Sequence, residues 1–215
     1  MLFTEPILLL LTLYMGFVYA LLYLFFESYP ISFQEDRGWS PGVGALPFLG
    51  ILVGAVIGMC IIIYETKTFF ARSLARNGKV IPEARLPSMI LGAFFLPIGL
   101  FMFAWTSNPH IPWPPQVVAG GFIGAGLLMI FLQSLNYIID CYLMHAASGI
   151  AANAVVRSFM GAGFIMFASA MYHNLGVAWA TSLLGFLSIA LIPVPICFYV
   201  FGHKIRSWSR FSPTA

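Results

Sequence analysis

Six stretches of about twenty or more residues carry almost no charge, and that pattern limits what this chain can fold into more than any other feature. A helix needs roughly 20 apolar residues to cross a ~30 Å hydrocarbon core. The expected spans are residues 6–26, 43–64, 86–105, 117–139, 150–172 and 177–201. Their apolar runs are continuous rather than alternating, so helices and not barrel strands are predicted. The fold class expected is an all-α membrane protein, one domain over residues 1–215, with the lipid bilayer as its solvent. Composition agrees, because only 8% of residues are charged, against about 25% in a soluble domain.

Proline and glycine mark the joints. Ser40-Pro41-Gly42 precedes span two, Pro82 and Pro87 flank the entry to span three, and four prolines between Pro109 and Pro115 separate spans three and four. Pro97 with Gly99 in span three, and Pro193 with Pro195 in span six, predict kinks.

Basic residues give an orientation. Lys67, Arg72, Arg76, Lys79 and Arg85 lie in loop 65–85, and Lys204, Arg206 and Arg210 lie in tail 202–215. The other side holds only Arg37, which places both termini in the cytoplasm. Trp39, Trp105, Trp113 and Trp179 fall at the expected outer boundary, where an indole N–H meets water, and Trp208 alone falls inside. Charge fixes orientation and not address: the plasma membrane is expected, with the vacuole as the alternative.

Several chemistries are excluded. A net charge of +3, scattered along the chain, offers no basic stripe for nucleic acid. Cys60, Cys141 and Cys197 stand far apart and form neither a disulfide framework nor a metal-ligand spacing, and no cofactor motif is present. An intramembrane serine enzyme is a poor fit. Ser148 lacks the glycine two residues earlier that such turns carry, His145 is only three residues away, and His203 lies beyond the last span. No catalytic residue is assigned.

Polar residues inside the spans are the candidates for function. Gln133, Asn136, Tyr137 and Asp140 recur at helical spacing on one face of span four. An intramembrane acid faces a cavity or a partner, and Arg157 in span five, one turn beyond Asn153, is the expected counter-charge. Asp140 and Arg157 read either as a structural pair pinning spans four and five or as part of a substrate and proton pathway. Tyr19, Tyr23 and Glu27 share a face of span one, as a stacking surface or as interfacial anchors. Gly50, Gly54 and Gly58 form a double GxxxG ladder, span four opens with Gly120, Gly121, Gly124 and Gly126, and span five carries Gly161 and Gly163. Such smooth faces serve packing within one bundle or contact with a partner bundle.

Longer strings carry a resemblance. These are YALLYLFFESYPI from Tyr19, PEARLP from Pro82, LGAFFLPIGLFMFAWTS from Leu91, and FLQSLNYIIDCYLMHAASGIAANAVVRSFMGAGF from Phe131. Together they resemble the C-terminal half of fungal drug:proton antiporters of the major facilitator superfamily, in the twelve-span branch with polyamine and multidrug exporters. The likeness runs from about Glu5 to Pro213. It implies a half-bundle built as a 3+3 inverted repeat, with spans one and four lining a cavity and spans two and five facing a second half. It also implies proton-coupled export of small amphipathic compounds such as drugs, polyamines or secondary metabolites. On that pattern Tyr19, Tyr23, Gln133, Asn136 and Asp140 become cavity residues, and Gly50, Gly54, Gly58, Gly161 and Gly163 suit the half–half face. The N-terminal half, with its own antiporter motifs, is missing. Transport by rocking halves therefore implies a separate half or a second copy as partner, and a truncated, transport-inactive membrane protein is the alternative.

Overall fold

In the computed structural model, residues 5–72, 75, 78, 82–143 and 146–206 are described, without the side chains of Pro6 and of 203–206. Arg76, Lys79, His145, Trp208 and Arg210, used above, lie outside them, as do the side chains of His203, Lys204 and Arg206. The described residues are helical almost throughout and contain no strand.

Span one is Pro6–Tyr29, and it passes without a break into a π-helical turn, Pro30–Glu35. Pro30 has no amide to donate, and the helix widens to i→i+5 bonding there, seen in Asp36 N–H to the Ile31 carbonyl at 2.9 Å. Span two begins as a short turn, Pro41–Ala45, and resumes as Phe48–Glu65 after Leu46 and Pro47. A π turn, Thr66–Phe70, extends it. A 3-10 turn, Pro82–Arg85, delivers the chain to span three, Leu86–Thr106, whose helix runs through Pro97 unbroken. Span four is Pro114–Tyr142 and opens on two prolines, where the missing amides have no helical partner to lose.

The last long helix, Ala146–Leu191, has 46 residues and would measure about 69 Å if straight, more than twice a bilayer core. Gly176 divides it, with φ 76° and ψ 157°, a conformation open to glycine almost alone. Contacts on either side show that the chain reverses there. Span five rises alongside span one, with Asn153 bonded to Thr12 and Gly161 against the rings of Tyr19 and Tyr23. Span six then descends alongside span three, with Trp179 against Trp105, Phe186 against Phe101, and Gly202 beside Glu83. It breaks once more at Ile192, the residue before Pro193, and ends as Pro193–Arg206. Five long apolar segments therefore hold six crossings.

The core is aromatic at one end. Phe25, Tyr29, Phe33 and Phe103 interlock there, and Trp39 meets Trp113 at 6.2 Å as Trp105 meets Trp179 at 6.0 Å. Arg37 ties this tryptophan end together by donating to the carbonyls of Thr106, Asn108 and Ile111. Spans one, three and four supply most of the buried side chains. Span two buries only Gly54, Gly58, Ile62 and Glu65 along its main helix, while Leu52, Val53, Val56 and Ile57 are exposed.

Those glycines correct an expectation. Gly50, Gly54 and Gly58 do not open toward a second half but close on span four of the same bundle. A Cβ on Gly50 would stand 2.6 Å from the Val117 carbonyl oxygen, one on Gly54 would overlap the Gly121 carbonyl, and one on Gly58 would press on Ala125. Gly161 likewise faces Tyr19 and Tyr23 on span one. Only Gly163 of the five has open space around it. The physical reason is mutual: the glycines of span four remove side chains opposite the ladder, so the two backbones settle against each other.

Candidate transport site

Tyr19 and Tyr23, one turn apart, put their hydroxyls 2.9 Å from each other and their rings edge-to-face at 5.0 Å. Span five comes close because Gly161 adds no side chain: a Cβ there would sit 3.2 Å from the Tyr23 ring. One turn before Gly161, the Arg157 guanidinium lies 5.2 Å from the Tyr19 ring centre and 4.8 Å from that of Phe131 on span four. Beside this cluster a groove of about 240 Å³ is lined by Tyr19 and Leu22 of span one, Ile51 of span two, and Gly124, Leu128 and Phe131 of span four. Spans one, two and four thus meet around one concave, mostly apolar surface, and two of its rings, Tyr19 and Phe131, hold Arg157 of span five.

Asp140 is elsewhere. Its carboxylate is bound by Arg85 Nε, and Arg85 also lies over the Phe70 ring at 4.4 Å. The expected Asp140–Arg157 pair is corrected accordingly. The 3-10 turn Pro82–Arg85 carries Arg85 back to the mouth of span four, whereas Arg157 stands further up span five among rings. Among the described residues Arg157 has no carboxylate within ion-pair distance, and its Nε is buried with no acceptor. Asn153 is buried one turn away and donates to Thr12 Oγ1 and Met15 Sδ, each at 3.3 Å.

Gln133 and Asn136 belong to a third group. Gln133 donates to Ser88 Oγ at 2.6 Å, and Asn136 donates to Gln133 Oε1 at 3.3 Å. Glu65, at the end of span two, lies near Ser88. Glu65 is buried and its Oε2 has no partner. Sequence reasoning missed it by assigning residue 65 to a solvated loop. The available signal was its place directly after an uncharged run of apolar residues. Glu27, by contrast, is exposed, as is Ser148.

Similarity to known proteins decides the family. Over 214 residues, 99% of this chain and 43% of the relative, the sequence is 58% identical to the citrinin biosynthesis cluster MFS transporter mrr1 of Monascus ruber. The chain matches part of a larger MFS transporter. It is also 57% identical to the MFS-type transporter traF of Penicillium crustosum, over 99% of this chain and 44% of that one. A third match, at 51% identity, is the uncharacterized transporter C569.05c of Schizosaccharomyces pombe, with 99% of this chain and 37% of the relative covered. The chain spans less than half the length of the curated relatives it matches. No family model and no solved structure matches it. These MFS relatives are named transporters and not enzymes, and the apolar helices make the chain an integral membrane protein.

Proposed function

We propose that this chain forms one half of a proton-coupled exporter of small amphipathic compounds. The observation that carries the reading is the groove lined by Tyr19 and Phe131, the two rings that hold Arg157, in a chain that matches part of larger MFS transporters. Concave, largely apolar surfaces with a few convergent polar groups suit small amphipaths. Tyr19 and Tyr23 supply ring faces and a hydroxyl pair. Glu65 supplies a carboxylate able to take up and release a proton, with Ser88, Gln133 and Asn136 as its polar surroundings, and the Arg85–Asp140 pair closes the basic end. Three of the relatives are named for biosynthesis clusters, which supports secondary-metabolite cargo.

Alternating access needs two bundles moving about a site between them. The second is a further half of a longer protein or another copy of this chain, docked on the exposed apolar flanks of spans two and five. The basic ends lie in the cytoplasm, in the plasma membrane. The alternative reading is a transport-inactive membrane protein.

Inside-out vesicles test the choice. The chain is expressed alone, and together with the remaining portion of the Monascus ruber relative, and loading of a fluorescent amphipath is followed under an inside-acid pH gradient. Protonophore-sensitive loading in either case supports the exporter. Its absence in both, with the proteins present in the membrane, supports the inactive reading.

A further inference from the structure

We infer that the groove beside Arg157 takes an organic anion, an aromatic body bearing a carboxylate, with the carboxylate bound by the Arg157 guanidinium. The inference rests on reading that groove as the substrate site and adds the charge of what it binds. Three observations support it.

The first is the state of the cation. Tyr19 and Phe131 contact Arg157 through ring faces, at 5.2 and 4.8 Å. Ring faces stabilise the charge but accept none of the in-plane N–H groups well, and a guanidinium has five of these. Nε is buried without an acceptor. The missing partner is a planar acceptor lying in the plane of the fork, the geometry of a carboxylate binding through two oxygens.

The second is the disposition of the chain's own acids. Asp140 is engaged by Arg85, Glu65 lies near Ser88, and Glu27, one turn beyond Tyr23, is exposed and makes no salt bridge to Arg157. Among the described residues no salt bridge to Arg157 exists. A cation inside a membrane span without a counter-ion marks a ligand pathway.

The third is the wall around it. Leu22, Ile51, Leu128 and Phe131 line about 240 Å³, room for a small ring system with its acidic group turned toward span five. Of the two hydroxyl protons on Tyr19 and Tyr23, one bridges the pair and the other remains to donate to the same anion.

Three probes of one shape test the charge: 2-naphthoate, 2-naphthalenemethanol and 2-naphthylmethylamine. Each is titrated at pH 7 into the whole chain in zwitterionic nanodiscs, with protein-free discs as the blank, and binding is read from tryptophan quenching. Naphthoate is expected to bind at least tenfold more tightly than the alcohol, with the amine weakest. Arg157→Gln should remove the preference for naphthoate over the alcohol, while Arg157→Lys should retain part of it. If Arg157→Gln does not fold, the wild-type order and the lysine variant still decide. An alcohol or amine bound as tightly as naphthoate, or a preference that survives Arg157→Gln, overturns the inference and leaves the groove as a substrate site. Binding of none of the three overturns the substrate-site reading and the inference with it.

Discussion

The Arg157 guanidinium stands 4.8 Å from the centre of the Phe131 ring, so a cation on span five is held by a ring on span four. Such contacts contribute about 0.5–2 kcal/mol, more as water is excluded. Phe131→Leu keeps the apolar bulk and loses the ring face. It should lower thermal stability by about that amount, and a double-mutant cycle with Arg157→Gln should recover most of the loss as coupling. A cycle showing no coupling would mean that the ring merely fills space.

Arg85 and Asp140 should behave as a pair in the same kind of experiment. Asp140→Asn or Arg85→Gln alone should cost about 1–3 kcal/mol, less than for a fully buried pair because both side chains keep some exposure. The exchange Arg85→Asp with Asp140→Arg should restore part of the membrane protein level. Exchanging Asp140 with Arg157 should restore none of it.

Gly54 should tolerate no side chain. Its Cβ would overlap the Gly121 carbonyl, and a backbone atom cannot swing aside. Gly54→Ala is expected to destabilise by about 1–3 kcal/mol or more, as overpacking does, and Gly163→Ala, with nothing within 4 Å, should leave the melting temperature unchanged. Fluorescence-detected gel filtration after heating measures both.

Gly176 tests backbone strain free of packing. No atom lies within 4 Å of its virtual Cβ, yet its φ is 76°. Gly176→Ala should therefore cost about 1–3 kcal/mol through conformation alone, whereas Gly42→Ala, equally uncrowded and without a positive φ, should cost little. Thermal unfolding of the two variants side by side makes the comparison.

At the tryptophan end, burial first and Glu35 second push the Asp36 carboxyl above its ordinary value, against the pull of Arg37 and His173. A raised carboxyl binds its proton more tightly in the folded state, so it contributes stability that is lost as pH rises past the ordinary value of 3.8. Asp36→Asn should accordingly be slightly more stable than wild type at pH 7, and the gain should vanish below pH 3.8. The gain is small because Asp36 is exposed.

The spans were readable because lipid imposes its requirement residue by residue: a long uncharged run announces itself wherever it lies. Their ends were less so. Span one continues past Phe26 to Tyr29 and on through Pro30, because a π turn absorbs the proline that a sequence reading takes as a stop. The facing of Tyr19 and Tyr23 was legible from their spacing of four. The partner of Asp140 was not, since Arg85 lies 55 residues away and counted as loop charge. Nor was the partner of the glycine ladder, because a smooth face states that something approaches and not what.

Spans two and four touch backbone to backbone at Gly54 and Gly121, and that contact has a mechanical meaning. Each helix is keyed to the other as a shaft is keyed to its hub. Rolling either about its own axis would drive a side chain into a carbonyl. Whatever movement the bundle undergoes must carry both together, and the deformation must be taken up where side chains, not main chains, form the bearing.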